Sequence, residues 1–391
     1  MENAGRVWYP AGMSLPSPSP FPAALEVLGA EHLPVDRPWI IKAGFDPTSP
    51  DLHLGHAVLL QVLRHLQDQG HQVVMVVGDF TARIGDPTGR NETRPVLTTQ
   101  QVQDNARTYL DQAFRLLDHE RTTVRHNSEW FDAMSSRDLL SLMQQATVAQ
   151  MLARNDFSDR MSRGDAVGLH ELVYPLLQGH DSVELGCDLE VGGSDQLFNL
   201  MAGRTQQQSA GFKPQAVAMV PLLIGLDGQR KMSKSYGNHI ALLDTPRDVF
   251  GKTMRIADEM VLPWATLLRV PHVTDAPTAY AAKRALARGL VELLHDERAA
   301  QAEDEHWQQC FVDRALPTDV PVRPIGAGAT VIQILLDWGF VRSLTEARQK
   351  VREGAVRLDG IKVENPSLAP TAGVLALGRR HAASIAPGEV S

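Results

Sequence analysis

The chain of 391 residues reads as α/β: a doubly wound parallel sheet followed by a helical region and a small α+β module. Three observations predict this. The apolar runs at 39–41 and 73–77 are unbroken, and the second is mostly β-branched, as in strands buried on both faces. Between them, residues 54–69 place Val58, Leu59, Val62, Leu63 and Leu66 at helical spacing, and strand, helix, strand in this order makes a crossover unit of a parallel sheet. Far downstream, Pro317, Pro321 and Pro324 with Gly326 and Gly328 mark a linker ahead of a separately patterned tail.

Taken in order, the first segment, 1–37, is an irregular arm in which Pro10, Pro16, Pro18, Pro20 and Pro22 resist packing, with a short helix expected at 23–28. After the second strand comes a stretch, 78–90, too rich in Gly, Asp and Pro for a regular element. It stands at a strand's C-terminal end, where open α/β sheets bind ligands. The capping box Thr98-x-x-Gln101 starts a helix to about Leu117, and 122–125 reads as a third strand. Helical pieces follow at 136–145 and 147–154, then a charged loop at 156–165. A strand is expected at 188–191, a helix capped by Ser194 or Asp195 and ending near Gly211, and an apolar strand at 216–224. From 245 to 311 nearly everything reads helical. The expected division is therefore a sheet domain over 38–244, a helical domain over 245–315, a linker over 316–328 and a module over 329–391.

Composition bounds the function. Hydrophobic residues make up 43%, ample for a packed core. The two cysteines, Cys187 and Cys310, lack C-x-x-C spacing, so neither a disulfide framework nor a structural metal site is indicated, and a reducing cytoplasm is the expected compartment. No apolar run approaches the roughly 18 residues that span a bilayer, so no membrane partner is expected. The net charge of −8 argues against whole-surface attraction to nucleic acid, so any RNA contact must come from local basic clusters.

Four constellations carry chemistry. His53-Leu54-Gly55-His56 opens the first helix, where unpaired amide N–H groups and two imidazoles offer donors to an anion. An isolated His-x-Gly-His is most often an ordinary helix cap. Here it is joined by Lys231-Met232-Ser233-Lys234-Ser235, a loop flanked by Gly228 and Gly237 whose two flexible point charges suit a changing phosphate. Tyr174, Gln178 and Asp181, spaced four and three, share one helix face among Leu172, Val173, Leu176 and Leu177, near the helix start if Pro175 lies in the first turn. A carboxylate there is either part of a structural hydrogen-bond network or awaits a polar ligand. Last, Gly192 and Gly193 before Ser194-Asp195-Gln196 let backbone approach a ligand ahead of a helix.

The paired His-Leu-Gly-His and Lys-Met-Ser-Lys-Ser motifs resemble the two signatures of class I aminoacyl-tRNA synthetases. Gly-Phe-Asp-Pro-Thr at 44–48, Gly-Asp-Pro at 85–87, Tyr-x-x-x-Gln-x-x-Asp at 174–181 and Gly-Gly-Ser-Asp-Gln at 192–196 narrow the resemblance to the bacterial tyrosyl branch, over about 38–380. The resemblance implies a Rossmann-like catalytic domain that joins L-tyrosine to ATP, with accompanying Mg2+, and transfers it to tRNA(Tyr), as a homodimer. It implies ATP contacts at Gly44, Asp46, Thr48, His53, Gly55, His56, Gly193, Asp195, Lys231, Met232, Ser233, Lys234 and Ser235, with His53, His56, Lys231 and Lys234 catalytic. Asp181 would accept the phenolic hydroxyl, Tyr174, Gln178, Asp86 and Thr81 would surround the α-ammonium, and Gln196 would lie near ammonium and ribose. Three departures stand out: Lys42, placed among the tyrosine-binding residues where one branch has Tyr as the phenol's second partner, His180 where Tyr is usual, and an unfamiliar lead-in before Trp39.

The tail resembles a small RNA-binding module shared by a ribosomal protein and RNA-modifying enzymes. Val331, Ile332, Leu335 and Leu336 make one helix face, a second helix opens near Ser343, and two short strands meet at the Asp359-Gly360 turn. Arg342, Arg348, Lys350, Arg352, Arg357 and Lys362 would meet RNA phosphates. Two rival readings are a tryptophanyl-type relative, disfavoured because an indole only donates, and an inactive synthetase that binds RNA, disfavoured by the intact histidines and lysines.

Overall fold

The computed structural model describes residues 21, 25–86, 97–312, 320–326, 328–378 and 381–387. The Pro-rich stretch to residue 20, residues 87–96 and the Pro317 part of the expected linker lie outside the described residues. The chain divides into two compact units, 1–294 and 295–391. The helical domain expected over 245–315 straddles that division.

In the first unit six strands are β1 (Glu26–Leu28), β2 (Ile40–Phe45), β3 (Gln72–Val77), β4 (Thr122–His126), β5 (Leu189–Gly193) and β6 (Ala216–Val220). Their order in the sheet is β1-β6-β5-β2-β3-β4. All neighbours are parallel except β1, which runs antiparallel along β6. The helices are α1 (Leu54–Asp68), α2 (Thr99–Ala113), α3 (Ser128–Phe131), α4 (Ser136–Met143), α5 (Val148–Leu152), α6 (Asn155–Arg163), α7 (Leu169–Leu185), α8 (Leu197–Ser209), α9 (Pro246–Thr253), α10 (Val261–Leu267) and α11 (Ala279–Leu294). The order changes direction at β2: β3 and β4 build to one side, β5 and β6 to the other. That switch point, at the strands' C-terminal ends, is where a ligand crevice forms.

The core follows from the patterns read above. Ile41, Ala43, Val73, Met75, Leu189 and Val217 of the strands, and Leu54, Leu60 and Leu63 of α1, are almost wholly withdrawn from solvent. The capping box at Thr98 is present, its hydroxyl accepting from the Gln101 N–H and the Gln101 side chain accepting from the Thr98 N–H.

Three local expectations are corrected. Residues 26–28 form strand β1 rather than part of a helix, because β6 would otherwise present an unpaired apolar edge. Residues 155–163, expected as a charged loop, are helix α6: buried Phe157 anchors it, and Arg160 makes a two-pronged pair with Glu171 of α7 at 2.5 and 3.1 Å. Helix α7 begins at Leu169, so Pro175 lies inside it, and Tyr174, Gln178 and Asp181 come from its middle and later turns. It packs against α8 closely at Gly179, where an added Cβ would stand 3.0 Å from the Ala202 backbone.

The second unit contains α12 (Glu297–Trp307), α13 (Val331–Asp337) and α14 (Leu344–Arg352) with β7 (Val322–Ile325), β8 (Val356–Leu358), β9 (Ile361–Lys362), β10 (Val374–Leu377) and β11 (His381–Pro387). The strand order is β7-β11-β10-β8-β9. β7 corrects the expected linker, since residues 322–325 pair in parallel with β11 and belong to the module's sheet. The turn between β8 and β9 has φ of +47° at Asp359 and +82° at Gly360, the left-handed pair that a two-residue hairpin needs. Val331, Leu335, Val351, Val356, Leu375 and Ile385 pack as its core.

Among the described residues no helix is long and apolar enough to cross a membrane.

Candidate active site

The histidine turn and the lysine loop are sewn together. The His53 backbone bridges Ala241, the Leu54 N–H donates to the Ile240 carbonyl at 3.0 Å and the Leu242 N–H donates to the Leu52 carbonyl at 3.0 Å. This places the start of α1 against the strand-like segment that follows Lys231–Ser235. The loop has its own scaffold. Asn238 accepts from the Ser233 N–H at 2.8 Å and donates to Asp227 at 3.0 Å, and buried Met232 anchors the middle, its N–H on the Leu223 carbonyl at 2.7 Å. Ser233 Oγ accepts from the Ser235 N–H at 3.3 Å.

Both imidazoles use Nδ1 to hold the helix start. His53 Nδ1 accepts from the Gly55 N–H at 3.1 Å, and His56 Nδ1 accepts from the His53 N–H at 3.2 Å. Gly55 leaves space for this, because a Cβ there would stand 2.9 Å from the His53 ring. Burial, and then the neighbouring His56, His239, Lys234 and Lys231, hold the His53 imidazole far below its ordinary range; burial and Lys234 bring His56 down to about 4. At neutral pH both rings are therefore uncharged with the proton on Nε2, which makes each a neutral donor rather than a cation.

The cationic groups are the lysines. Lys231 Nζ lies 2.7 Å from Asp195 Oδ2, and Lys234 Nζ lies 2.5 Å from Asp51 Oδ2, all four side chains partly exposed. Asp195 comes from the turn after β5, where Gly193 gives it room: a Cβ on Gly193 would come within 2.7 Å of Asp195 Oδ1.

A second set of side chains gathers around Asp46 and Asp86. Asp46, just past β2, takes the Thr81 hydroxyl on Oδ1 at 2.8 Å and the Tyr174 hydroxyl on Oδ2 at 2.9 Å. Burial and the carboxylates of Asp46 and Asp86 keep the Tyr174 phenol protonated. Gly78 permits the arrangement, since an added Cβ would overlap Asp46 Oδ1 and Thr81 Oγ1. Gln196 donates to Asp86 Oδ2 at 2.5 Å while its carbonyl accepts from Asn199 at 2.6 Å, so both ends of its amide are engaged. Thr48 donates its N–H to the Asp46 carbonyl at 2.7 Å, and Gly44 sits on β2 with open space where a Cβ would be.

Asp181 is buried, and its Oδ1 accepts from Trp130 Nε1 at 3.0 Å. Burial pushes the carboxyl up to about 7, against the pull of Lys42 and of the indole N–H. Lys42, expected against the substrate's phenol, is placed otherwise. Its three N–H donors go to the Gln178 carbonyl at 2.7 Å, Ser182 Oγ at 2.8 Å and Glu190 Oε1 at 2.9 Å, which leaves none for a ligand. His180 points to Glu184 at 3.2 Å.

Sequence reasoning missed Trp130, Asn199, Asp51 and Glu190. Trp130 and Asp51 carry no local signal, their partners lying 51 and 183 residues away, and Asn199 joins the nearby Gln196 to Arg154, 45 residues back. Glu190 had one: a carboxylate between Leu189 and Val191 in a buried strand requires a partner, and Lys42 in the next strand had the same requirement. In the tail, Arg342, Arg348, Arg352, Arg357 and Lys362 are exposed, while Lys350 pairs with Glu353 at 2.8 Å and Arg357 donates to the Gly360 carbonyl at 2.8 Å.

Residues 34–312 match the family described as tRNA synthetases class I (W and Y). A tyrosine–tRNA ligase from Idiomarina loihiensis is 43% identical over 91% of this chain and 93% of its own length, and one from Syntrophotalea carbinolica is 46% identical over 89% and 90%. The chain belongs to the class I tyrosine–tRNA ligase family. The fold agrees with a solved tyrosyl-tRNA synthetase complexed with L-tyrosine from Archaeoglobus fulgidus, which has a TM-score of 0.58 and 25% identity, and covers 72% of this chain and 97% of its own. Relatives of the tyrosine–tRNA ligase type over nine-tenths of the chain remove the tryptophanyl reading. As a class I ligase, the protein has ATP as its nucleotide.

Proposed function

We propose that this site joins the carboxylate of L-tyrosine to the α-phosphorus of ATP, releasing pyrophosphate, and then transfers the tyrosyl group to the 3′ end of tRNA(Tyr). The observation that carries the reading is the joint between the His53 turn and the segment after Lys234, which holds the lysine loop beside the two neutral imidazoles at the start of α1. Positioning two anionic reactants and neutralising charge that grows on the phosphates is most of what this reaction needs.

In this reading the α-ammonium lies among Asp86, Gln178 and the Asp46–Thr81–Tyr174 set, and the phenol donates to Asp181. The ribose lies by Asp195 and the glycines at 192 and 193, and the triphosphate with its Mg2+, a substrate arriving together, lies by His53, His56, Lys231 and Lys234. For the phosphates to recruit Lys231 and Lys234, the pairs with Asp195 and Asp51 must open. Phenylalanine is rejected because it would leave Asp181 and Trp130 facing no hydroxyl; the same enzyme class is the standard example of that logic. The exposed arginines of α14 and of the β8–β9 hairpin support phosphate contacts with tRNA. Exposed apolar side chains on α4 to α7, among them Leu140, Val148, Met161 and Leu169, support a homodimer that covers them.

The test is ATP–pyrophosphate exchange with each of the twenty amino acids. Exchange with tyrosine alone is expected; exchange with tryptophan, or with none, overturns the reading.

A further inference from the structure

Lys42 and Glu190 are cross-strand partners on β2 and β5, with 0% and 1% of their side chains exposed. A buried ion pair contributes little net stability over apolar residues of the same size, so its position calls for another account. Glu190 collects four donors. Lys42 Nζ at 2.9 Å and Gln178 Nε2 at 3.1 Å meet Oε1, while Ser182 Oγ at 3.1 Å and Gln215 Nε2 at 2.5 Å meet Oε2. Lys42 in turn holds the Gln178 carbonyl and Ser182 Oγ, so the pair grips α7 through both the backbone and the side chain of Gln178.

With two donors on each carboxylate oxygen, Glu190 only accepts. Gln178 can therefore meet Glu190 only with its NH2, which leaves its Oε1 as the end of the amide that can accept from a ligand. Against a neutral neighbour the amide could rotate and offer NH2 to the crevice, where it would oppose a substrate ammonium.

We propose that the Lys42–Glu190 pair is the positioning unit that fixes Gln178 as an acceptor for the α-ammonium of the amino-acid substrate. Lys42 holds Glu190 in place; Glu190 sets the sense of the Gln178 amide; neither touches the substrate. This rests on the reading of the crevice as an amino-acid activation site.

The test compares two ligands in the full chain: L-tyrosine and 3-(4-hydroxyphenyl)propanoate, which keeps the phenol and carboxylate and lacks the ammonium. In Glu190→Gln, tyrosine affinity should fall at least tenfold while the desamino analogue changes less than twofold. The exchange of Gln178→Glu with Glu190→Gln restores an acceptor-only group at 178 and should recover most of the discrimination between the two ligands. If Glu190→Gln does not fold, the neutral double variant Lys42→Met with Glu190→Gln carries the same comparison. Equal weakening of both ligands, or unchanged tyrosine affinity, overturns the proposal. A wild-type chain that performs no tyrosine-dependent pyrophosphate exchange instead overturns the reading of the crevice itself.

Discussion

Lys234 Nζ and Asp51 Oδ2 lie 2.5 Å apart, a pair that spans 183 residues of sequence and ties the lysine loop to the turn just before His53. Both side chains are partly exposed, so the pair is worth no more than about 1 kcal/mol. ATP phosphates must draw the ammonium away from that carboxylate. Asp51→Asn should therefore lower the KM for ATP up to about fivefold, whereas Lys234→Ala should depress kcat far more than it changes ground-state binding. Steady-state exchange kinetics decide. A raised KM in Asp51→Asn would mean that Asp51 helps hold the nucleotide.

The Asp181 carboxyl gives a pH signature. Its folded pKa, about 7, lies above the ordinary value near 3.9, so the folded chain holds a proton there that the unfolded chain releases. That contribution to stability is complete below about pH 4 and is lost as pH rises to about 7. Asp181→Asn has no such loss, so its stability relative to the natural chain should grow by about 4 kcal/mol between those values. Urea unfolding at a series of pH values measures it, and parallel profiles would show an ordinary Asp181. The KM for tyrosine should fall over the same upper range, as the carboxylate forms that accepts the phenol.

The two histidines should stay neutral well into acid. With both Nδ1 atoms accepting backbone N–H bonds and His56 at about 4, nitrogen NMR should show His53 and His56 as Nε2–H tautomers down to pH 5. A protonated imidazole at pH 6 at either position would contradict the donor role given to them.

Removing residues 320–391 should spare tyrosine-dependent pyrophosphate exchange, because every side chain assigned to activation lies in the first unit. It should weaken tRNA charging and flatten its dependence on salt, since the module's arginines and lysines would no longer displace counterions from the RNA phosphates. Charging assays across a salt series provide the measurement; unaltered charging at every salt concentration removes the module from tRNA binding.

Much of this was legible in the chain, for reasons that differ between parts. Strands β2 and β3 and helix α1 announce themselves because each follows a simple apolar pattern, and the Thr98 capping box and the Asp359-Gly360 turn are local chemistry. The site motifs were visible because the chemistry needs particular residue types close together in sequence. What escaped were contacts made by topology. Nothing near Trp130 points to Asp181, 51 residues on. The sequence of α6 is polar around a single buried phenylalanine, and its helical state depends on Arg160 finding Glu171. Lys42 was misplaced for a related reason: its partner, Glu190, is adjacent only once β2 and β5 pair.

Strand β1 has a practical meaning for anyone preparing this enzyme. Its three residues, Glu26, Val27 and Leu28, cover the backbone of Ala216–Val220, a strand buried on both faces. Trimming the chain to the first residue of the family match would uncover that backbone as a flat, greasy template for another molecule's strand. Such a product should precipitate or polymerise on storage even with its catalytic residues intact, so the segment before Pro38 is better kept in any shortened version of the protein.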